Sequence, residues 1–280
     1  MTSSSKLDHS RTQTLHPFDR DTAVVSLENG IFEASIDRGW WIVTGPNGGY
    51  LAGIILRALV AAVGDDARIP RSLTIHYLRP PAEGVCRIRT QVERTGRSLS
   101  TVTGRLEQGG KLIAIAIAAI SSPRTGPHFE HAVMPEAPAP EGLESGTPDL
   151  PLGEQYEWRF LPNAGRDDVT ERALVAAWMR FASPRRPDYL ALAAYCDGLP
   201  PAIFTTGRDP VSLGGVPTVD LTIHFRADLS KIDLAADSFL LGICRSHTAR
   251  EGFVEEDVEI WTRDGTLLAQ SRQLAVAGGE

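Results

Sequence analysis

The segment LTIHYLR at 73–79 returns, nearly unchanged, as LTIHFR at 221–226. Both copies alternate apolar and polar residues, as a half-buried strand does. Further along each half, a glycine dipeptide precedes another apolar strand: GGKLIA from Gly109 and DGTLLA from Asp264. Gly-Gly and Asp-Gly tolerate positive φ and mark hairpins. A duplication of this kind restricts the 280 residues to a unit that can be built twice.

Each half yields the same outline of strand, helix and four-stranded meander. In the first, a strand is expected over 31–37, a helix over 48–63, and strands over 71–79, 85–95, 98–108 and 111–121. In the second, a strand is expected over 172–181, a helix over 187–199, and strands over 217–226, 239–249, 252–262 and 266–276. Between them, residues 121–151 hold seven of the 19 prolines without apolar periodicity and read as an extended linker across a surface. The expected division is a first repeat with its polar tail over 1–122, a linker over 123–152 and a second repeat over 153–280. The first helix, YLAGIILRALVAAV from Tyr50, is apolar nearly all round, so it should be buried on most sides. An antiparallel sheet curved around it would do that.

Hydrophobic residues make up 42% and charged residues 22%, a composition that folds into a core. The net charge of −7 argues against a general nucleic-acid binder but leaves room for a local basic pocket. Cys86, Cys196 and Cys244 are odd in number and far apart, so neither a disulfide framework nor a cysteine zinc site is expected. The start of the chain is polar up to Phe18, and no apolar run reaches the ~18 residues of a membrane span. A cytoplasmic protein with no metal and no cofactor is the expectation. No GxSxG elbow, GxxxxGKS/T loop or GxGxxG fingerprint occurs. His128 and His131 form an HxxH in the linker with no third ligand nearby.

In the second half, DYLALAAYCDGLPPAIF (188–204), VPTVDLTIHFRADL (216–229) and REGFVEEDVEIWTRDGTLLAQSRQLAVAG (250–278) resemble the acyl-CoA thioesterase II group and its thioesterase-like relatives. GGYLAGIILRALVAAVGD and SLTIHYLRPP are similar in the first half. The resemblance covers most of the chain outside the tail and the linker. It implies an α+β double hotdog: two tandem repeats, each a curved antiparallel sheet around a central helix. It also implies hydrolysis of an acyl-CoA thioester in lipid metabolism.

Asp197 closes the apolar run LALAAYC. Burial there would raise its pKa unless hydrogen bonds hold it ionised, and carboxylates so perturbed serve as general bases. An exposed helix end is the plainer alternative. The resemblance puts Asp197 on the family's catalytic aspartate. Thr218 opens the second alternating strand. Strict alternation sets it on one face with Asp220, Thr222 and His224, away from Val219, Leu221 and Ile223. A β-favouring residue at a strand start is the alternative; the resemblance makes it the hydroxyl that helps hold the attacking water. Gln273 shares a face with Leu267, Ala269, Ser271 and Ala275 and must hydrogen-bond if buried. Gln270 points the other way. The resemblance makes Gln273 the glutamine that completes the water-binding set. In ungapped register the three correspond to Ala58, Pro70 and Ala118, so one competent site, in the second half, is expected.

Gly48 and Gly49 open the first helix, where unpaired amides could receive a thioester oxygen; a plain turn role is the alternative. Tyr50, with Trp40 and Trp41, is expected either to line an acyl slot or to join the core. Arg79, Arg94, Arg97, Arg226 and Arg250 lie near strand ends as candidates for the CoA phosphates, or as ordinary solvated charges. Open sheet edges suggest a homo-oligomer. Two other readings stand beside hydrolysis. A hotdog enoyl-CoA hydratase or dehydratase pairs its aspartate with a histidine several residues downstream, whereas the nearest histidine after Asp197 is His224. A non-catalytic acyl-CoA-binding protein would need none of the three polar residues.

Overall fold

The computed structural model describes residues 15–162, 164, 172–207 and 215–278. Thirteen strands among them form one antiparallel sheet. In chain order they are β1 Val25–Ser26, β2 Ile31–Ile36, β3 Ile69–Tyr77, β4 Gly84–Thr95, β5 Leu99–Gln108, β6 Lys111–Ser121, β7 Tyr156–Phe160, β8 Ala173–Phe181, β9 Thr218–Phe225, β10 Leu240–Ser246, β11 Ala249–Arg250, β12 Phe253–Trp261 and β13 Leu267–Val276. Their spatial order is β1-β2-β4-β5-β6-β3-β9-β13-β12-β10-β8-β7, with β11 on β12. The order β2-β4-β5-β6-β3 is thus mirrored by β8-β10-β12-β13-β9.

The duplicated segments are also the seam. Strand β3 pairs with β9 antiparallel, with Thr74 opposite Thr222. Their hydroxyl oxygens lie 3.1 Å apart. Equivalent residues therefore face each other across a local two-fold axis, and the two expected sheets are one continuous sheet. This is the double hotdog architecture.

Among the described residues three α-helices accompany it: α1 Pro17–Asp21, α2 Gly48–Val63 and α3 Tyr189–Tyr195. Helix α2 starts where Asn47 Oδ1 accepts the Tyr50 N–H and stops at Gly64, which takes the left-handed conformation (φ 61°) that glycine adopts without penalty. Ten of its residues, from Gly49 to Leu59, are buried, as its nearly unbroken apolar surface requires. Helix α3, capped by Asp188, is shorter than the expected 187–199. Leu199 precedes Pro200 and is steered away from helical backbone. The chain instead tightens after Tyr195, with the Asp197 N–H on the Ala194 carbonyl at 3.2 Å. Asp197 thereby leaves the helix and sits in the turn behind it.

Neither α1 nor β7 was anticipated. Both belong to an aromatic cluster that joins the halves: Phe18 stacks on Phe181 at 4.7 Å, and Trp40 lies flat on Tyr50 at 5.0 Å. The linker follows the outside of the second repeat, held where Trp178 Nε1 donates to the Pro138 carbonyl and Arg263 pairs with Glu141. The polar start of the chain lies, up to residue 14, outside the described residues. No helix among the described residues is long and apolar enough to cross a membrane.

Candidate active site

The amino end of α2 meets the turn behind α3, so the first half reaches the carboxylate of the second. The Gly49 N–H donates to Asp197 Oδ2 at 2.9 Å, and Asn47 Nδ2 donates to the same oxygen at 3.0 Å. Asn47 Nδ2 also reaches the Asp197 carbonyl at 2.7 Å. Asn47 thus caps its own helix with one side-chain atom and grips the catalytic candidate with the other. A helix amino end attracts an anion because its first amides lack partners and its dipole is positive there. Burial outweighs these donors: the Asp197 carboxyl is pushed up to about 6, while the Gly49, Gly48 and Asn47 bonds oppose the rise.

The glycines are required by distance. A Cβ at Gly49 would stand 2.6 Å from the Ala194 carbonyl oxygen and 3.0 Å from Asp197 Cβ; one at Gly48 would stand 2.9 Å from Asp197 Oδ2. The Ala194 obstacle is backbone, so it yields only if the helices separate. Gly49→Ala is expected to lower stability by about 1–3 kcal/mol, read by denaturant unfolding, and to loosen the grip on Asp197. An unchanged unfolding midpoint would refute the close packing. Of the two amides expected to receive a thioester oxygen, the Gly49 N–H is taken by Asp197 Oδ2.

Thr218 departs from strict alternation. Leu274 lies opposite Asp220 but Ala275 lies opposite Thr218, leaving Val219 as an extra residue. This β-bulge turns Thr218 away from Asp220, Thr222 and His224 and onto the inward face of Leu221 and Gln273. There the Thr218 hydroxyl donates to Gln273 Oε1 at 3.3 Å. Gln273 is 7% exposed. Its other amide atom, Nε2, donates to Glu256 Oε2 at 2.7 Å.

Glu256, 1% exposed, was missed by reading the sequence. It lies directly opposite Gln273 on β12 and also accepts the Ala202 N–H at 2.6 Å. Burial pushes its carboxyl up to about 7. The signal was present: Val254, Glu256, Val258 and Ile260 alternate inward along β12, with a carboxylate in an apolar slot. Asp197 makes no hydrogen bond to Thr218 or Gln273 among the described residues. It is tied to the same region through Ser271, two residues before Gln273, whose hydroxyl donates to the Cys196 carbonyl at 3.4 Å. The negative charge of Asp197 also acts on Glu256.

Tyr50 lies in the core, the second of the two expectations for it. It is fully buried against Trp40, its hydroxyl donating to the Asp21 carbonyl at 2.8 Å and accepting the Asp37 N–H at 3.1 Å. Trp40 and Trp41 are core as well. Arg79, Arg94, Arg97, Arg226 and Arg250 are all exposed.

Comparison with known proteins agrees with the two-part architecture. Residues 37–121 match the acyl-CoA thioesterase N-terminal domain, and residues 132–277 match the acyl-CoA thioesterase C-terminal domain. An uncharacterized protein of Mycobacterium tuberculosis is 26% identical over 94% of this chain and 95% of its own length. A hotdog-fold protein of unknown function from Alicyclobacillus acidocaldarius superposes with a TM-score of 0.88 at 28% identity, over 95% of this chain and 100% of that one. A protein from Thermobifida fusca proposed to be a thioesterase II gives 0.83 at 28% identity, over 94% and 98%. An acyl-CoA thioesterase II from Mycobacterium marinum shares the fold, with a TM-score of 0.77 at 22% identity over 94% and 98%. With both halves matched in the order in which the sheet assembles them, this chain belongs to the acyl-CoA thioesterase family.

Proposed function

We propose that this chain hydrolyses acyl-CoA thioesters with a water molecule held by Asp197, Thr218 and Gln273. The observation that carries the reading is Asp197, a carboxylate raised to about 6 and gripped by the amino end of a buried helix where the two matched halves meet. At pH 7 such a group is mostly ionised yet still basic enough to take a proton. The grip falls on Oδ2, which leaves Oδ1 to accept the proton of water. The water oxygen bonds the thioester carbon, the C–S bond breaks, and Asp197 returns its proton to the departing sulfur. Free acid and CoA result, with no cofactor in the balance.

The Thr218–Gln273 pair supports the same reading. Gln273 turns its carbonyl oxygen toward Thr218, so the hydroxyl donates inward and keeps its lone pairs for the second hydrogen of water. The water then gives one hydrogen to Asp197 and one to Thr218, and its oxygen lone pair is free for the carbonyl carbon.

The test is thiol release from short, long, branched and aromatic acyl-CoAs. Stoichiometric acid and CoA are expected from at least one class, with kcat/KM falling as pH drops through about 6, where Asp197 takes up its proton. Binding without release from any thioester would favour an acyl-CoA-binding protein and overturn the reading.

A further inference from the structure

The water-holding set leaves one buried group unused. Glu256 is nearly inaccessible, yet it receives two short hydrogen bonds, from the Ala202 N–H at 2.6 Å and from Gln273 Nε2 at 2.7 Å. A carboxylate inside an apolar sheet is costly unless such donors satisfy it. Replacing it by an apolar residue would leave the Ala202 N–H unpaired, but any acceptor would answer that need. What an ionised carboxylate alone supplies is acceptance on both oxygens at once.

We propose that Glu256 is a positioning residue that fixes the orientation of the Gln273 amide and, through it, the direction in which Thr218 donates. The inference rests on the hydrolase reading of this site. Donors and acceptors alternate along one chain: Gln273 Nε2 donates to Glu256, Thr218 Oγ1 donates to Gln273 Oε1, and the free lone pairs of Thr218 face the water. The Gln273 amide has two faces of opposite polarity, and Glu256 selects between them. With the amide reversed, Nε2 would face Thr218, the hydroxyl would turn round to accept it, and its proton rather than its lone pairs would point toward the water.

Glu256→Gln separates this role from simple space filling. The Ala202 N–H cannot move, so it claims the new side chain's oxygen. The new amide nitrogen then faces Gln273 and forces it to reverse. Fold and volume are kept while the polarity of the chain inverts. Gln273→Glu alone sets two carboxylates against each other across β12 and β13: near neutrality they share one proton and the alternation survives, whereas at high pH both ionise and it breaks. The double variant Glu256→Gln/Gln273→Glu restores alternation, because the amide at 256 donates to the carboxylate at 273, which accepts from Thr218.

The experiment measures kcat, KM and the pH profile of the wild type, both single variants and the double variant, on the acyl-CoA that turns over best. For Glu256→Gln, kcat is expected to fall about 10- to 100-fold with KM within about twofold, the range for losing a partner that orients a site residue. The double variant is expected to recover at least about tenfold over Glu256→Gln at pH 7, and over Gln273→Glu at high pH, where the two carboxylates of that single variant are both ionised. A merely structural glutamate would give no such reciprocal rescue. The groups facing Glu256 are Gln273 on β13, the Cys244 thiol on β10, the Ala202 amide and, through space, the Asp197 charge. Of these, Asp197 is the one that titrates near neutrality. The wild type is therefore expected to lose activity with acid in two steps, as Glu256 and Asp197 take up protons, and Glu256→Gln in one. Glu256→Gln removes a buried charge, so its melting temperature at pH 8 should equal or exceed that of the wild type, and a misfolded protein would be recognised at once. A Glu256→Gln kcat equal to wild type, or a double variant no faster than Glu256→Gln, overturns the proposal and leaves the hydrolase reading standing. A wild type that releases CoA from no thioester overturns both.

Discussion

Asp197→Asn is expected to lower kcat by ~10²–10⁴ and, at pH 8, to make the protein more stable. Asparagine can still accept the Gly49 and Asn47 hydrogen bonds through its carbonyl oxygen, so the contact between α2 and the turn behind α3 survives. The lost element is the proposed proton acceptor. The stability gain follows from linkage. The Asp197 carboxyl stands at about 6 in the folded protein against an ordinary value of 3.8. The folded state therefore binds this proton more tightly than the unfolded chain does, and ionisation between about pH 4 and pH 6 costs the native state ~3 kcal/mol. The cost is absent below about pH 4, where both states are protonated, and fully present above about pH 6. Asparagine never ionises, so the melting temperature of the variant should exceed that of the wild type by about 5 °C at pH 8 and match it at pH 4. Thiol release and calorimetry on the same two proteins read both effects. Undiminished release would remove Asp197 from the chemistry. A variant less stable at pH 8 than at pH 4, relative to wild type, would show that the carboxylate is held more comfortably than its burial implies.

The parts of this molecule that rest on periodicity were readable in advance. The apolar surface of α2, the inward alternation of β13 and the duplicated LTIH strands each follow from a repeating spacing, and each stands where the spacing puts it. The parts that rest on a single irregular residue were not. Alternation sends Thr218 outward, and only the extra residue Val219 brings it back to Gln273. A bulge leaves no compositional mark on so short a strand. Tyr50 follows two glycines at the mouth of a helix and reads equally as a wall of a binding slot or as core. The choice was made by the Asp21 carbonyl and the Asp37 amide, which come from other parts of the chain. Glu256 was legible in the pattern of β12, since it fills a slot between Val254 and Val258. What no linear pattern conveys is its partner: Gln273 lies on the neighbouring strand, and only the register β12–β13 sets the two side by side. The joining of Asp197 to Asn47 is of the same kind, a contact between residues 150 positions apart.

That contact yields the second large effect. Asn47→Asp keeps the helix cap, because a carboxylate oxygen accepts the Tyr50 N–H as well as the amide oxygen does and suits the helix amino end. It removes the donors at 2.7 and 3.0 Å and sets a second carboxylate against Asp197 Oδ2. Two carboxylates at that separation cannot both ionise near neutrality and share one proton instead. Asp197 then needs a higher pH to become a base, so kcat/KM at pH 7 should fall about 10- to 100-fold and recover as pH rises toward 9. Asn47→Ser is the control. Its shorter hydroxyl can still cap α2 but cannot replace both donors to Asp197, so it loosens the carboxylate without adding a charge: Asp197 rises less than in Asn47→Asp, and the loss at pH 7 should be smaller and recover at a lower pH. A profile for Asn47→Asp parallel to that of the wild type, low or high, would mean that Asp197 does not govern the rate through its charge. A recovery displaced to higher pH in the aspartate variant than in the serine variant would tie the charge of Asp197 to the helix cap of α2, a contact made between two halves of one chain.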